Sequence, residues 1–191
     1  MPRTPRLRRA LPAVLGVAGG CLACAALFGP RVEGTCRNGR TDGPYTLELD
    51  HVVVEGHFSN GARSGLFRFR TESGALLAEI PYVADLRDGV LRVWYHPDSA
   101  AAGTDRRRLE AELERGERDG ATRYWYEDGR PRAEYMYVEG ALVGARGWND
   151  AGEALSADEA EAQARVDRTS DEQYLTTLEE AVRKNPPRCA R

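Results

Sequence analysis

The sequence predicts a mainly β fold, an elongated antiparallel meander of stacked β-hairpin repeats with a short C-terminal helical segment. A glycine pattern recurs at near-regular spacing between residues 39 and 144, and apolar or aromatic side chains alternate with polar ones after each copy. Alternation with a period of two is typical of half-buried strands. A single hairpin cannot bury its own apolar face, so we expect the units to stack on one another.

The repeat opens with two glycines separated by three residues, and one copy has Asp85 in place of its first glycine. The second glycines lie 22, 24, 31 and 24 residues apart, and residues 97–108 within the longest interval are typical of an inserted loop. We interpret these second glycines as turn residues. They are Gly43, Gly65, Gly89, Gly120 and Gly144.

Each unit contains two predicted strands and two predicted turns. In the second unit, Phe67 and Phe69 alternate with arginines, a turn follows at 72–74, and a second alternating strand begins at Leu76. The preceding turn contains Asn60-Gly61. Asn-Gly adopts the positive φ angles that tight hairpins require. Each unit is therefore predicted to form one antiparallel hairpin.

The stretch 113–140, LERGERDGATRYWYEDGRPRAEYMYVEG, resembles the MORN-repeat variant found in YwqK-type antitoxin proteins. The resemblance covers roughly residues 33–155, which is most of the predicted outer domain. It implies a stack of antiparallel hairpins that serves as a binding scaffold, and an antitoxin role.

Residues 1–30 are predicted to direct export or to anchor the chain in a membrane. Four arginines and no acid occur in residues 1–9, and residues 10–28 carry no charge. This layout is typical of an export signal, which places the following domain in the periplasm or elsewhere outside the cytoplasm. Cleavage near 23–25, retention as an anchor and lipid attachment at a cysteine all remain open. Arg8-Arg9 is interpreted as part of the charged start rather than as a twin-arginine signal.

Two pairs of cysteines have different predicted roles. Cys21 and Cys24 lie inside the apolar targeting segment, so they are not interpreted as a redox motif. Cys36 and Cys189 bracket the outer domain, and an oxidising compartment favours a disulfide between them. The alternative is two independent free thiols.

Residues 31–155 are assigned to the repeat domain and residues 156–191 to a helical cap. Ser156 and Glu159 form a predicted capping box, and a second helix is predicted to start near Ser170. Asn185-Pro186-Pro187 is expected to end it. We expect this helical segment to cover an end of the hairpin stack, where open strand edges favour aggregation.

The sequence contains no recognisable catalytic constellation, so we predict a protein that is not an enzyme and needs no cofactor or metal. The three histidines, His51, His57 and His96, lack metal-ligand spacing, and the glycines are explained by turns. The net charge is −3 although the first nine residues are basic. An acidic outer domain does not favour nucleic acid as a partner.

The predicted outer face of the sheet carries the candidate binding residues. They are Arg68, Arg92, Trp94, Arg123 and Trp125. Tryptophan and arginine are enriched at binding hot spots. Another interpretation is structural, because glutamates at 55, 79, 110 and 134 share this face and would pair with the arginines across strands.

We therefore predict a non-catalytic repeat protein that binds another macromolecule, with a protein as the expected partner. Toxin neutralisation, by an antitoxin or an immunity-like protein, is one form of this function. The alternative is a structural protein of the cell envelope that contacts membrane lipid or wall polymer.

Overall fold

A computed structural model describes residues 29–49, 51–98 and 106–189. The predicted export segment lies outside these residues except for its last two positions, and so does most of the predicted inserted loop. The described part of the chain consists of twelve β-strands followed by one helix. The elements are β1 Arg31–Arg37, β2 Arg40–Leu49, β3 Val52–Ser59, β4 Ala62–Arg63, β5 Gly65–Thr71, β6 Leu76–Val83, β7 Leu86–Arg87, β8 Gly89–Trp94, β9 Arg107–Glu114, β10 Glu117–Trp125, β11 Pro131–Val138, β12 Ala141–Gly147 and α1 Ala157–Lys184.

The strands form one antiparallel sheet in which neighbours in space are neighbours along the chain. The order is β1-β2-β3-β5-β6-β8-β9-β10-β11-β12, with the short β4 and β7 pairing with β3 and β6. The sheet does not close, so β1 and β12 form its two edges. The predicted fold class, a mainly β meander of hairpins with a C-terminal helix, is confirmed.

Tight two-residue turns join the strands at the first glycine of each repeat. Both central residues have positive φ, for example 52° at Asn60 and 92° at Gly61. Two consecutive positive φ angles define the type I′ hairpin turn, whose twist matches that of the flanking strands. Ala84 and Asp85 make the same turn at φ 49° and 69°, so the copy without a glycine keeps the geometry.

The second glycines do not form these tight turns. They lie four residues farther along, where the strand ladder is interrupted: β4 ends at Arg63 before β5 begins at Gly65, and the register of β10 shifts around Gly120. An interrupted ladder with a glycine at positive φ is typical of a β-bulge. The positive angles are 113° at Gly43, 75° at Gly65, 110° at Gly89 and 107° at Gly120.

Gly144 departs from this pattern. It lies within β12 opposite Met136 and is absent from the glycines that have positive φ. The interpretation of all five second glycines as turn residues is therefore wrong: four of them bend a strand, and Gly144 lies in an edge strand. The extra residue in β12 is Val143, which lies between the paired positions 142 and 144.

One continuous helix of 28 residues replaces the two helices predicted from the sequence. Ser156 caps α1 in a capping box with Glu159, and Asn185 ends it. Ser170 lies in the middle of α1 and starts no new helix. The helix continues through Ser170 because Leu175 and Leu178 beyond it are buried against the sheet.

The helix lies across the inner face of the sheet. The expectation that it covers an end of the hairpin stack is therefore wrong. Tyr45 on β2 donates a 2.8 Å hydrogen bond to the Asn185 carbonyl after the C-terminus of α1. Near the other end of the sheet, Tyr135 on β11 donates to Asp167 at 2.7 Å, and Arg168 donates to the Gly140 carbonyl at 2.9 Å. The inner face offers the helix a larger apolar surface than a strand edge does.

The hydrophobic core lies between the inner face and α1. Alternate residues of the longer inner strands point into it, and Ala164, Leu175, Leu178 and Val182 of the helix complete it. The strands contribute Tyr45, Leu47, Val54, Phe67, Phe69, Ile80, Tyr82, Leu91, Val93, Leu109, Tyr124, Tyr135 and Tyr137, all nearly inaccessible to solvent. The opposite side of the sheet, the outer face, is therefore the one that α1 leaves uncovered.

A disulfide joins Cys36 on the edge strand β1 to Cys189 after α1, with the two Cα atoms 5.6 Å apart. It closes a loop with a sequence separation of 153 residues. The bond fixes the segment after α1 to the sheet edge that is farthest from β12.

Candidate functional site

Tyrosine and arginine side chains of the sheet hold the acidic side chains of α1. Asp171, which is 1% exposed, accepts hydrogen bonds from Arg118 at 2.8 Å, from Arg108 at 3.2 Å and from the Tyr124 hydroxyl. Asp167 likewise accepts from Arg132 and from Tyr135. Burial raises the pKa of the Tyr124 hydroxyl far above its ordinary value, so it remains a donor.

Glu179 is held in the same way nearer the C-terminus of α1. It accepts from the Tyr82 hydroxyl and from Arg87 at 2.8 and 2.9 Å, and Arg63 lies 3.4 Å away. Burial alone raises the pKa of this carboxyl, but the hydrogen bonds from Arg87 and Tyr82 outweigh burial and hold the pKa below its usual value. The polar groups of these clusters therefore hold α1 on the inner face of the sheet.

These clusters were not predicted from the sequence, although the sequence contains a signal for them. The acids at 167, 171 and 179 are four and eight residues apart, which places them on one face of a helix. Tyr82 and Tyr124 lie at inner positions of their strands. The polar tip of a buried tyrosine needs a partner, and a row of acids on the covering helix supplies it.

The outer face carries a row of alternating charges across eight neighbouring strands, which we call the charge ladder. Each residue lies directly opposite the next in the strand register. In order from β3 to β12, the ladder is Glu55, Arg68, Glu79, Arg92, Glu110, Arg123, Glu134 and Arg146.

Most of the ladder is closely paired. Arg68 lies 3.2 Å from Glu79, and Arg92 lies 3.9 Å from Glu79 and 3.0 Å from Glu110. At the far end, Arg146 lies 3.3 Å from Glu134. Cross-strand pairs of this kind stabilise a sheet by about 0.2–1 kcal/mol each. The arginines thus have the structural role that the sequence offered as one interpretation.

Glu110 lies at the centre of the ladder and has the most arginine neighbours of its glutamates. Glu110 is approached by Arg92 at 3.0 Å, by Arg107 at 2.9 Å and by Arg123 at 3.7 Å. One carboxylate therefore faces three guanidinium groups. The side chains of Arg92 and Arg123 keep 37% and 44% of their surface exposed, so both can still reach a partner.

The two candidate tryptophans lie beside this centre. Trp94 ends β8 and Trp125 ends β10, and β9 passes between them. Arg107 on β9 is the register partner of Trp94, and its guanidinium carbon lies 5.3 Å from the centroid of the Trp125 ring. Both indoles are half-buried. Arg107, which the sequence analysis did not select, thus connects the tryptophans to the charge ladder.

The structure brings four of the five predicted binding residues close together and places the fifth farther off. Arg92, Trp94, Arg123 and Trp125 surround β9, whereas Arg68 lies on β5, beyond β6. We call the set Arg92, Trp94, Arg107, Arg123 and Trp125 the outer-face site. A shallow depression of about 360 Å³ adjoins it over β10–β12, next to Arg123 and Met136.

A groove of about 550 Å³ lies between the C-terminal end of α1 and the hairpin turns. Phe58, Val182 and Pro186 supply apolar walls, and Arg63 and Glu179 are among its polar groups. Arg63 already donates to Asp85 at 2.9 Å, and Glu179 belongs to the cluster that holds the helix. Arg63 and Glu179 are therefore already engaged in contacts that hold the turns and α1 in place.

Within the described ranges, no three histidine, cysteine, aspartate or glutamate side chains are grouped as a metal ion requires. In the same ranges, no helix combines the length and the apolar character needed to cross a lipid bilayer. No protein-family model matches this chain, and no curated protein matches it either.

Proposed function

We propose that this protein is a non-catalytic repeat protein that binds another protein through the outer-face site, in a toxin-neutralising, antitoxin-like or immunity-like role. The observation that carries the proposal is a difference between the two faces of the sheet. The inner face is covered along its length by α1, whereas the outer face keeps half-buried tryptophans beside partly exposed arginines.

The physical properties of the outer-face site fit recognition. Two indoles on a rigid sheet supply contact area whose ordering costs little entropy, and such residues dominate measured binding energies. The guanidinium groups of Arg92 and Arg123 are paired with ladder glutamates but remain partly exposed beside the two indoles. Apolar side chains and individual carboxylates on the partner would be complementary to these indoles and exposed guanidinium groups.

The proposal includes an extracytoplasmic location, with residues 1–30 acting as a cleaved signal or as an anchor. The Cys36–Cys189 disulfide supports this location, because disulfides persist in oxidising compartments. A phosphatase reporter that is active only outside the cytoplasm, fused after Gly152, should be active. A stable but inactive fusion would contradict export.

Replacing both Trp94 and Trp125 with alanine tests the binding role. If the outer-face site binds a partner, the binding free energy should fall by about 2 kcal/mol or more, which corresponds to roughly 30-fold in affinity. The partner is captured by co-purification from the native cells. The melting temperature of the purified variant should fall only modestly, because both indoles are already partly solvated.

Trp148→Ala is the matched control, because Trp148 pairs with Ala154 outside the outer-face site. It should leave capture unchanged. Unimpaired capture by the double variant, together with a large fall in its melting temperature, would identify Trp94 and Trp125 as structural residues. Capture of lipid or wall polymer in place of a protein would favour a structural envelope role.

A further inference from the structure

The edge strand β1 buries very little of its own surface. Six of its seven residues are exposed, and Val32 is half-buried. Its partner among the described strands is β2, which is anchored in the core by Tyr45 and Leu47, 1% and 0% exposed. Strands that bury little apolar surface and whose backbone hydrogen bonds face solvent open at low free energy. Apolar packing therefore holds β1 weakly.

The ion pairs of β1 do not make up for this lack of packing. Arg31 lies 3.8 Å from Glu48 on β2, and the two side chains are 68% and 50% exposed. Arg37 lies 3.1 Å from Asp42, but its own side chain is 80% exposed. Ion pairs that are this open to solvent contribute little to stability.

The segment after α1 lies against β1 and is joined to it covalently. Pro187 packs on Gly34 so closely that a Cβ at position 34 would lie 2.6 Å from the Pro187 Cγ. Two residues later, Cys189 forms the disulfide with Cys36. The strand that packing holds weakly is therefore tied to the chain that leaves the helix.

The helix end of this connection is firmly held. Val182, in the last turns of α1, is 4% exposed within the core. The Asn185 carbonyl accepts the hydrogen bond from Tyr45, and the Asn185 side chain donates to the Ala181 carbonyl at 2.7 Å. The disulfide thus transfers the stability of the α1 end to β1. The segments that depend on it are residues 31–37 and 186–189.

We propose that the Cys36–Cys189 disulfide is a redox latch, whose reduction releases β1 and residues 186–189 together while the rest of the sheet and α1 stay folded. Cys36 is exposed, so a reductant in solution can reach the bond. Release uncovers the edge of β2, and an unpaired strand edge can accept another strand. It also removes Pro186 and Pro187 from the wall of the groove beside α1.

The reductant that this reaction needs is a protein dithiol of the thioredoxin class. Its thiolate attacks the Sγ of Cys36, the bond to Cys189 breaks, and Cys189 leaves as a thiolate that takes up a proton. The second thiolate of the donor then displaces Cys36 from the mixed disulfide. Two electrons have passed from the donor, which ends as a disulfide, to Cys36 and Cys189, which end as thiols.

Hydrogen exchange of the full-length protein in detergent, followed by mass spectrometry, tests the latch. Reduction by thioredoxin without denaturant should speed the exchange of the β1 amides about tenfold or more and leave β5–β11 protected. Cys36→Ser/Cys189→Ser should show the same pattern without reductant. Cys21→Ser/Cys24→Ser is the matched control, and it should keep the wild-type response to thioredoxin.

Three results would overturn the proposal. If β1 stays protected in the reduced protein and in Cys36→Ser/Cys189→Ser, the sheet holds this strand without the disulfide. If exchange accelerates equally in all strands, the bond supports the whole fold and latches no single segment. If thioredoxin reduces the bond only in the presence of urea, the folded protein shields it from protein dithiols.

Discussion

Replacing Asp171 with alanine is expected to destabilise the protein by about 3–5 kcal/mol, because it leaves a buried arginine without its counter-charge. The side chains of Arg118 and Asp171 are only 5% and 2% exposed, and their contact distance is 2.8 Å. In the variant, Arg118 keeps its 3.0 Å contact with the Tyr124 hydroxyl, which is a neutral partner. The neutral hydroxyl cannot replace the carboxylate in offsetting the desolvation of the guanidinium.

Urea unfolding followed by the helical signal in far-UV circular dichroism would measure this loss. Glu172→Ala is the matched control, because Glu172 is the next residue of α1 and pairs with Arg87 while remaining 48% exposed. Its loss should cost less than about 1 kcal/mol. An Asp171→Ala variant within 1 kcal/mol of wild type, or no less stable than Glu172→Ala, would refute the reasoning.

The double variant Arg118→Met/Asp171→Leu separates the buried charge from the lost contacts. It removes both charges and fills the site with apolar side chains, so it should recover much of the stability that Asp171→Ala loses. If it is as unstable as Asp171→Ala, the cost comes from the contacts of Asp171 with its other partners and not from the uncompensated charge.

Three further predictions concern the bulge at Gly120, the buried Tyr45 and the disulfide. Gly120→Val should cost about 1–3 kcal/mol, because φ is 107° and the new Cβ would lie 3.1 Å from the Glu112 Cβ. Gly144→Val is the control and should cost less, since the nearest atom is 3.8 Å away and φ is not positive. Burial raises the pKa of Tyr45 to about 12. The hydroxyl of Tyr45 therefore stabilises the fold fully below pH 10, and this stabilisation declines as the pH rises from 10 to 12. The urea midpoint of Tyr45→Phe should lack this part of the decline. Reduction of the Cys36–Cys189 disulfide should lower the free energy of unfolding by up to about 5 kcal/mol, measured by urea unfolding with and without reductant.

The strands and the tight turns could be predicted from the sequence because both follow from local patterns. The alternation after Gly65 identifies inner Phe67 and outer Arg68, and Asn60-Gly61 determines its own turn conformation. The pairing of outer arginines with outer glutamates follows from the same alternation. Once the strands are consecutive, a period of two and a hairpin connection place these residues opposite one another.

The position of the helix could not be predicted in this way, because it depends on contacts between distant parts of the chain. Tyr82 and Glu179 are 97 residues apart, and Tyr45 and Asn185 are 140 residues apart. The residues from Ser170 onward have the local sequence pattern of a helix N-terminus. Only the burial of Leu175 on the sheet decides in favour of one continuous helix.

The outer-face site was predicted in part. The repeat spacing identified Trp94 and Trp125, but it gave no weight to Arg107, which lies in the interval where the repeat is lengthened. The bulges were also not predicted from the sequence. The two marked positions of each repeat are four residues apart in sequence, yet only the backbone angles show which of the two makes the turn.

The most direct test of the central claim is photo-crosslinking in the native cells. A photoreactive residue at position 123 probes the outer-face site, and one at Val166, which is 68% exposed on α1, is the control. We expect a second protein to be joined covalently at position 123 and not at 166. Adducts at 166 with none at 123, from variants that melt like wild type, would contradict recognition by the outer face.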